Sequence, residues 1–443
     1  MMIRFALMGA LLAWSSPPAF AQSNPAYVRL GLAKGALYKP DAGPAPHVGV
    51  IVLHRTSNYL SHPACTELSH RGFMVLCMNS RFDNNETLVR FETIALDVKE
   101  GVAYLRAQAG ITKLVLFGHS GGGSTLSFYQ AVAENGPAYC QGPGKLTPCG
   151  NELAGLPRAD GIVFADAHPG EPVQIMRGLN PSIVDDGASG THVVAALDPF
   201  SAANGYNPHG ASHYSAEFRA RYFAAQAKRM GDLIDYAQAR LSRQAKDADF
   251  SDNDVLVIRG GGNPGSGDAG RAFLFVMDPS IAELRTSLRP HQLLKNDGTM
   301  ESRIIESVKV ASPDQADANR TFDRGTKIYT LRSFLSSNAM RATNSLDGID
   351  FCSSNNAAAC AVRSMSAPLL ITAMGAHDFV CDDEKMYESA RAPTRSSSPS
   401  KARCTPSRPA RPARRRPGNI PTRGRMNSIL WRPGSVSVSD LET

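Results

Sequence analysis

Residues 118–122 read Gly-His-Ser-Gly-Gly, a serine set among glycines directly after the apolar run KLVLF (113–117). A serine hydroxyl becomes a nucleophile when three conditions meet. A sharp turn must lift it clear of the backbone, a base must take its proton, and N–H groups must face the oxyanion that forms on its target carbonyl. Small residues two positions either side of Ser120, Gly118 and Gly122, leave such a turn room to close. The Gly121 amide would stand at a helix N-terminus, where N–H groups have no partner inside the helix. The chemistry this favours is acyl transfer. His119 is adjacent to Ser120 and, on such a turn, would point away from it. His54 ends another apolar run, VGVIVLH (48–54). Asp382, Asp383 and Glu384 also have an ordinary structural reading, as acidic residues in the first turn of a helix that complement its dipole.

Holding a serine this way takes a strand before it and a helix after it. Three short, apolar, β-branched runs come early: 48–54, FMVLCMNS (73–80) and KLVLF. Each suits a strand buried on both faces of a parallel sheet. Between the last two, Ile94, Val98, Val102 and Leu105 share one helical face. A second helix is expected from Ser120 to about Glu134, then strands at GIVFADA (161–167) and PLLITAM (368–374). Strands alternating with helices predict a right-handed parallel α/β sheet. The stretch between the last two strands is too long for one crossover. It holds an amphipathic helix around 215–245 and two strand-like runs, VLVIR (255–259) and KIYTLRSF (327–334). We read 168–366 as a cap-like insertion. The Gly-rich 260–270 lacks the Gly-Lys-Ser/Thr of a phosphate loop and reads as a flexible loop able to line a pocket. His209 and His213 flank Gly210, which breaks the helix that would join them, so no metal site is expected.

The strand, the G-x-S-x-G turn and the helix together resemble the α/β-hydrolase superfamily, over about residues 45–390. The resemblance implies a mostly parallel α/β-hydrolase sheet and a triad in the order Ser, acid, His. Ser120 would be the nucleophile, and the Gly121 amide one oxyanion donor. The loop after His54 would carry the second donor. It reads HRTSNYL, without the usual glycine, so Arg55 or Thr56 would supply that amide. The acid would follow PLLITAM: Asp378 at the usual spacing from Gly375, with Asp382 as the alternative and Asp166 as a third candidate. The implied activity is that of an esterase-like serine hydrolase acting through an acyl-enzyme, with no metal and no organic cofactor. Its partner would be a small-molecule or polymeric ester substrate. The rival reading is a non-catalytic binding protein on the same scaffold.

The N-terminus bears on where this would happen. Arg4, the apolar FALMGALLAW and the small-x-small Ala19-Phe20-Ala21 read as a secretory signal peptide over 1–21. Its apolar run is about half of the ~20 residues a membrane span needs. The expected mature domain, 22–390, is then soluble and either secreted or periplasmic. Export permits disulfides. Cys140/Cys149 and Cys352/Cys360 are expected bridges, whereas Cys77, in an apolar run, reads equally as a buried thiol.

The net charge of +7 is local. From Arg391 to Arg432 there are eleven Arg and one Lys with no acidic residue, and without those twelve, 35 basic residues face 40 acidic ones. The body is therefore mildly acidic, and no nucleic-acid partner is expected for it. The segment 391–443, rich in Pro and lacking hydrophobic period, is expected to be a disordered basic tail. It stands where the resemblance calls for a last strand and the triad histidine, yet the last histidine of the sequence is His377. Ser, Pro, Arg, Ala and Thr at this density are what GC-rich coding DNA yields when read out of frame. One nucleotide back, Ser396–Ser398 as TCN codons become a run of Val, Leu, Ile or Phe. Lys401 and Ala402 give Glu, Gln or Lys and then Gly, and the junction of Arg403 and Cys404 gives Val, Leu or Met. Cys404 as TGC with Thr405 gives CAC, a histidine, followed by an apolar residue, Thr, Pro and Cys. Two readings stand: a frameshift near residues 388–394, or a genuine basic tail that binds anionic polymers.

Overall fold

The computed structural model describes residues 25–185, 191–244, 253–260, 274–281, 283, 286–295, 297–306, 326–375, 379–391 and 395–399. Its strands in chain order are β1 (Ala26–Leu30), β2 (Ala33–Tyr38), β3 (Val48–His54), β4 (Met74–Asn79), β5 (Lys113–His119), β6 (Gly161–Ala165), β7 (Ile183–Asp185), β8 (Thr191–Val193), β9 (Val255–Arg259), β10 (His291–Leu294), β11 (Met300–Arg303), β12 (Thr326–Thr330), β13 (Leu369–Ala373) and β14 (Arg395–Pro399). The longer helices are α1 (Pro63–Ser69), α2 (Phe91–Arg106), α3 (Gly122–Asn135), α4 (Glu171–Gly178), α5 (Ala216–Gln244) and α6 (Val380–Ser389).

Eight strands form the central sheet in the order β1-β2-β4-β3-β5-β6-β13-β14. The pairs from β4 through β14 are parallel, and β1–β2 and β2–β4 are antiparallel. This is the strand order of the α/β-hydrolase fold. Alternation along each buried strand supplies both faces. Ile51, Leu53, Leu76, Leu114, Leu116 and Phe164 pack under α2 and α3, with Ile94, Val98 and Val102 from α2. Val50, Val52, Val75, Val115, Phe117 and Val163 face the other way, towards Cys65 of α1. A sheet apolar on both faces needs helices on both, and the βα crossovers put them there.

All the described strands between β6 and β13 stay out of the central sheet and form three two-stranded ribbons, β7–β8, β9–β12 and β10–β11. The amphipathic helix appears as α5. The segment between β6 and β13 is tied to α2 by buried polar groups: the Glu92 carboxylate accepts from Ser336 (2.5 Å) and Asn355 (3.0 Å), and the Phe91 amide donates to Ser336 Oγ at 2.7 Å.

Four sequence expectations are amended. KIYTLRSF is a strand only as far as Thr330; the Thr330 side chain then accepts from the Ser333 amide and the chain turns helical. The β1–β2 hairpin, short and turning at Gly31 (φ +60°), was not anticipated. Cys65 and Cys77 form a third disulfide beside Cys140–Cys149 and Cys352–Cys360. The tail is not wholly without structure, because 395–399 pairs in parallel with β13 as an edge strand, where backbone hydrogen bonds alone suffice. The remainder of the tail, the proposed signal peptide, and residues 261–270 of the Gly-rich loop lie outside the described residues. Among the described residues no helix is long and apolar enough to cross a membrane.

Candidate active site

Ser120 follows β5 immediately and adopts φ +54°, in the left-handed region that costs a non-glycine residue on the order of 1–3 kcal/mol. Its surroundings hold it there. The Ser120 amide donates to the Asp166 carbonyl at 3.2 Å, and the Ser120 carbonyl accepts from the Gly123 amide at 3.2 Å as α3 begins. The two flanking glycines are steric necessities. A Cβ at Gly118 would stand 2.5 Å from the Gly122 carbonyl carbon, and one at Gly122 would stand 2.0 Å from the Leu53 carbonyl oxygen. The turn therefore closes only with glycine two residues either side of the serine. It leaves Ser120 partly exposed.

Four imidazoles gather around this turn. His119 Nδ1 is hydrogen-bonded to the Tyr59 hydroxyl at 2.6 Å, which fixes it against flanking structure. Burial keeps that hydroxyl protonated. The His62 ring stacks on Tyr59 and its Nδ1 caps α1; burial and then His119 lower its pKa to about 4. His54 ends β3 and His168 lies in the loop after β6, and both reach the elbow. A Cβ added at Gly121 would lie 2.9 Å from His54 Nε2 and 3.1 Å from His168 Nε2. Their convergence was not read from the sequence, because only the side-by-side placement of β3, β5 and β6 creates it. Burial, then Arg55, then the other three imidazoles hold the His54 pKa well below its usual 6.5.

Among the described residues the Ser120 hydroxyl makes no hydrogen bond. The Gly121 amide is likewise uncommitted among them, and no side chain caps the first turn of α3.

The other predicted site residues fare differently. In the loop after β3, the Thr56 and Ser57 amides both donate to His54 Nδ1, at 3.1 and 2.9 Å. That removes Thr56 as an oxyanion donor and leaves Arg55 as the loop's candidate amide. The Arg55 guanidinium is buried elsewhere, donating to Glu86 (2.5 Å) and to Ser337 of the insertion (2.8 Å). Asp378 lies outside the described residues. Asp382 is committed to Arg177 through two hydrogen bonds, at 2.8 and 3.2 Å. Asp166, at φ +49° after β6, accepts from the Met374 amide at 3.1 Å.

Asp383 was read only as a helix-dipole acid, yet among the described residues both of its carboxylate oxygens are buried without a hydrogen-bond partner. The residue lines a cavity of about 280 Å³ between β13, α6 and the β10–β11 ribbon, two strands from β5 in the sheet. Burial, then Asp166 and Asp382, raise its pKa well above the usual 3.8. A folded-state value above the unfolded one means the folded protein holds this proton more tightly. Stability is therefore greatest below the unfolded value and is lost as pH rises through the folded value. Asp383→Asn is expected to raise Tm at pH 7, with the gain closing as pH falls towards 3.8; thermal melts across that range check it.

No family model and no curated protein matches the sequence. Solved structures show a loose likeness. DcsB in complex with a substrate analogue has a TM-score of 0.38 at 11% identity, over 83% of this chain and 86% of that one. A hypothetical protein from Pseudomonas aeruginosa has 0.34 at 13%, over 84% and 82%. Est1E from Butyrivibrio proteoclasticus has 0.32 at 10%, over 87% and 92%. At these scores the fold assignment stands on the strand order, and function on the atoms of the elbow.

Proposed function

We propose that the chain is an exported serine hydrolase that cleaves ester-type substrates through an acyl-enzyme on Ser120. The observation that carries this reading is the φ of +54° at Ser120, held by a glycine spacing that sterics require, between β5 and α3 of an α/β-hydrolase sheet. Backbone strain is kept where the surrounding structure over-determines it, and such strain clusters at functional sites.

In the proposed reaction Ser120 Oγ attacks the ester carbonyl carbon while its proton passes to the triad histidine. The oxyanion is met by the Gly121 amide and by the loop after β3, at Arg55. The carbonyl–alkoxy bond then breaks, the alcohol leaves with the proton, and water repeats the sequence on the acyl-enzyme. Asp378 is our assignment for the acid, since Asp382 is occupied by Arg177. Histidine, the base, is the part this chain lacks: none follows His377 in the sequence, so we read the chain as impaired and its C-terminal segment as frameshifted. The insertion 168–366 acts as the cap that sets substrate choice. Export is supported by the signal-like N-terminus and by three disulfides, which persist in oxidising compartments.

A non-catalytic binding protein is the second reading, favoured by the Ser120 hydroxyl making no hydrogen bond to a base among the described residues. A fluorophosphonate probe separates the two when applied to this chain and to one with the alternative frame restored, with peptide mapping of the adduct. Labelling at Ser120 in the restored chain alone supports both the hydrolase and the frameshift. No adduct in either chain would leave the binding protein.

A further inference from the structure

The loop after β3 has used two of its amides on a side chain, and that side chain now faces the elbow. A backbone N–H can only donate, so the Thr56 and Ser57 amides make His54 Nδ1 an acceptor. The ring proton of neutral His54 must then sit on Nε2. The low pKa of the ring keeps it in that neutral form at pH 7. Nε2 has no hydrogen-bond partner among the described residues, and it lies 2.9 Å from the point a Gly121 Cβ would occupy. Any side chain at 121 would collide with it. Glycine there lets the His54 ring approach residue 121 beside that of His168, whose Nδ1 accepts from the Gly170 amide at 3.2 Å and whose Nε2 lies 3.8 Å from the Glu171 carboxylate, and the Gly121 N–H makes no hydrogen bond among the described residues.

We infer that the His54 Nε2–H and the Gly121 N–H form an anion-binding pair, with the imidazole as an oxyanion donor in addition to the Arg55 amide of the glycine-less HRTSNYL loop. The catalytic consequence rests on the hydrolase reading above; the anion site itself does not. A tetrahedral oxyanion is the ligand class, and His54 donates to it without exchanging its proton, which distinguishes this role from that of a base.

The test uses the chain as it stands, uniformly ¹⁵N-labelled and titrated with butylphosphonate. The histidine spectrum should place the His54 proton on Nε2 at pH 7. The His54 Nε2–H and Gly121 N–H signals should then move together, with one dissociation constant. H54A should weaken phosphonate binding by about 10- to 100-fold, as loss of a hydrogen bond to a charged group does. H54Q, which keeps an N–H at that position, should recover most of it. A proton found on Nδ1 would overturn the proposal, as would a Gly121 signal that moves while His54 does not, or H54A binding unchanged. If H54A fails to fold, the tautomer and the paired shift in the parent decide. Phosphonate binding that persists while fluorophosphonate labelling fails in the frame-restored chain as well would uphold the anion site and remove the hydrolase reading.

Discussion

Restoring the alternative reading frame near residues 388–394 is expected to raise ester hydrolysis by on the order of 10⁴- to 10⁶-fold over the chain as it stands, the range lost when a triad member is removed from a serine hydrolase. The placement of β14 is the reason. Registers run His119 to Ala165, Ala165 to Thr372 and Ala373 to Pro399, so β5, β6, β13 and β14 end side by side. Pro399, the last residue of β14, therefore stands at the end of the sheet that carries Ser120. In the proposed frame, with Cys404 as TGC, a histidine would fall across Cys404 and Thr405, five to six residues further along the sequence. The measurement is kcat/KM on p-nitrophenyl esters of graded acyl length, for the given chain, the restored chain and the restored chain carrying Ser120→Ala. The last should fall back to background. A restored chain no faster than the present one would refute the frameshift account, as would a gene in which no one-base change yields a strand followed by histidine.

The second large effect concerns stability. Asp382→Ala is expected to cost about 3–5 kcal/mol, because it strands the Arg177 guanidinium in the interior. Arg177 and Asp382 are 5% and 3% exposed and bond in a fork, joining α4 at the start of the insertion to α6 after β13. Replacing both partners with apolar residues of similar volume, Arg177→Met with Asp382→Leu, should recover most of the loss, since the pair's attraction is offset by the cost of desolvating two ions. Chemical denaturation of the parent, the single and the double variant measures this. A small loss for Asp382→Ala, combined with a collapse of activity in the frame-restored background, would instead make Asp382 the triad acid.

How much of this molecule was legible in its residues follows the range of the forces involved. The elbow is mostly local: a serine between glycines, an apolar strand before it and a helix after it are read within a few residues, and the Gly118 limit is set by Gly122, although the Gly122 limit comes from the Leu53 carbonyl of β3. The parallel strands were legible because burial on both faces leaves unbroken apolar runs, as in β3 and β5. Cys140–Cys149 and Cys352–Cys360 close short loops, so their pairing needed little beyond proximity along the chain.

What the residues left open was every meeting between distant segments. The same Cys77 fits a bridge or a buried thiol until β4 and α1 are packed together. Asp382 suits a helix N-terminus, and only the docking of α4 against α6 gives it to Arg177. The Arg55 loop could have offered several amides, and the fold of the loop back onto His54 Nδ1 consumed two of them. His54 and His168 became neighbours of Gly121 because β3 and β6 flank β5 in the sheet, an order no local preference encodes. Backbone sterics and side-chain periodicity act over a few residues and can be read in one dimension, whereas the partners of a buried charge or imidazole are chosen by which strands lie side by side, and that is decided only when the whole core closes.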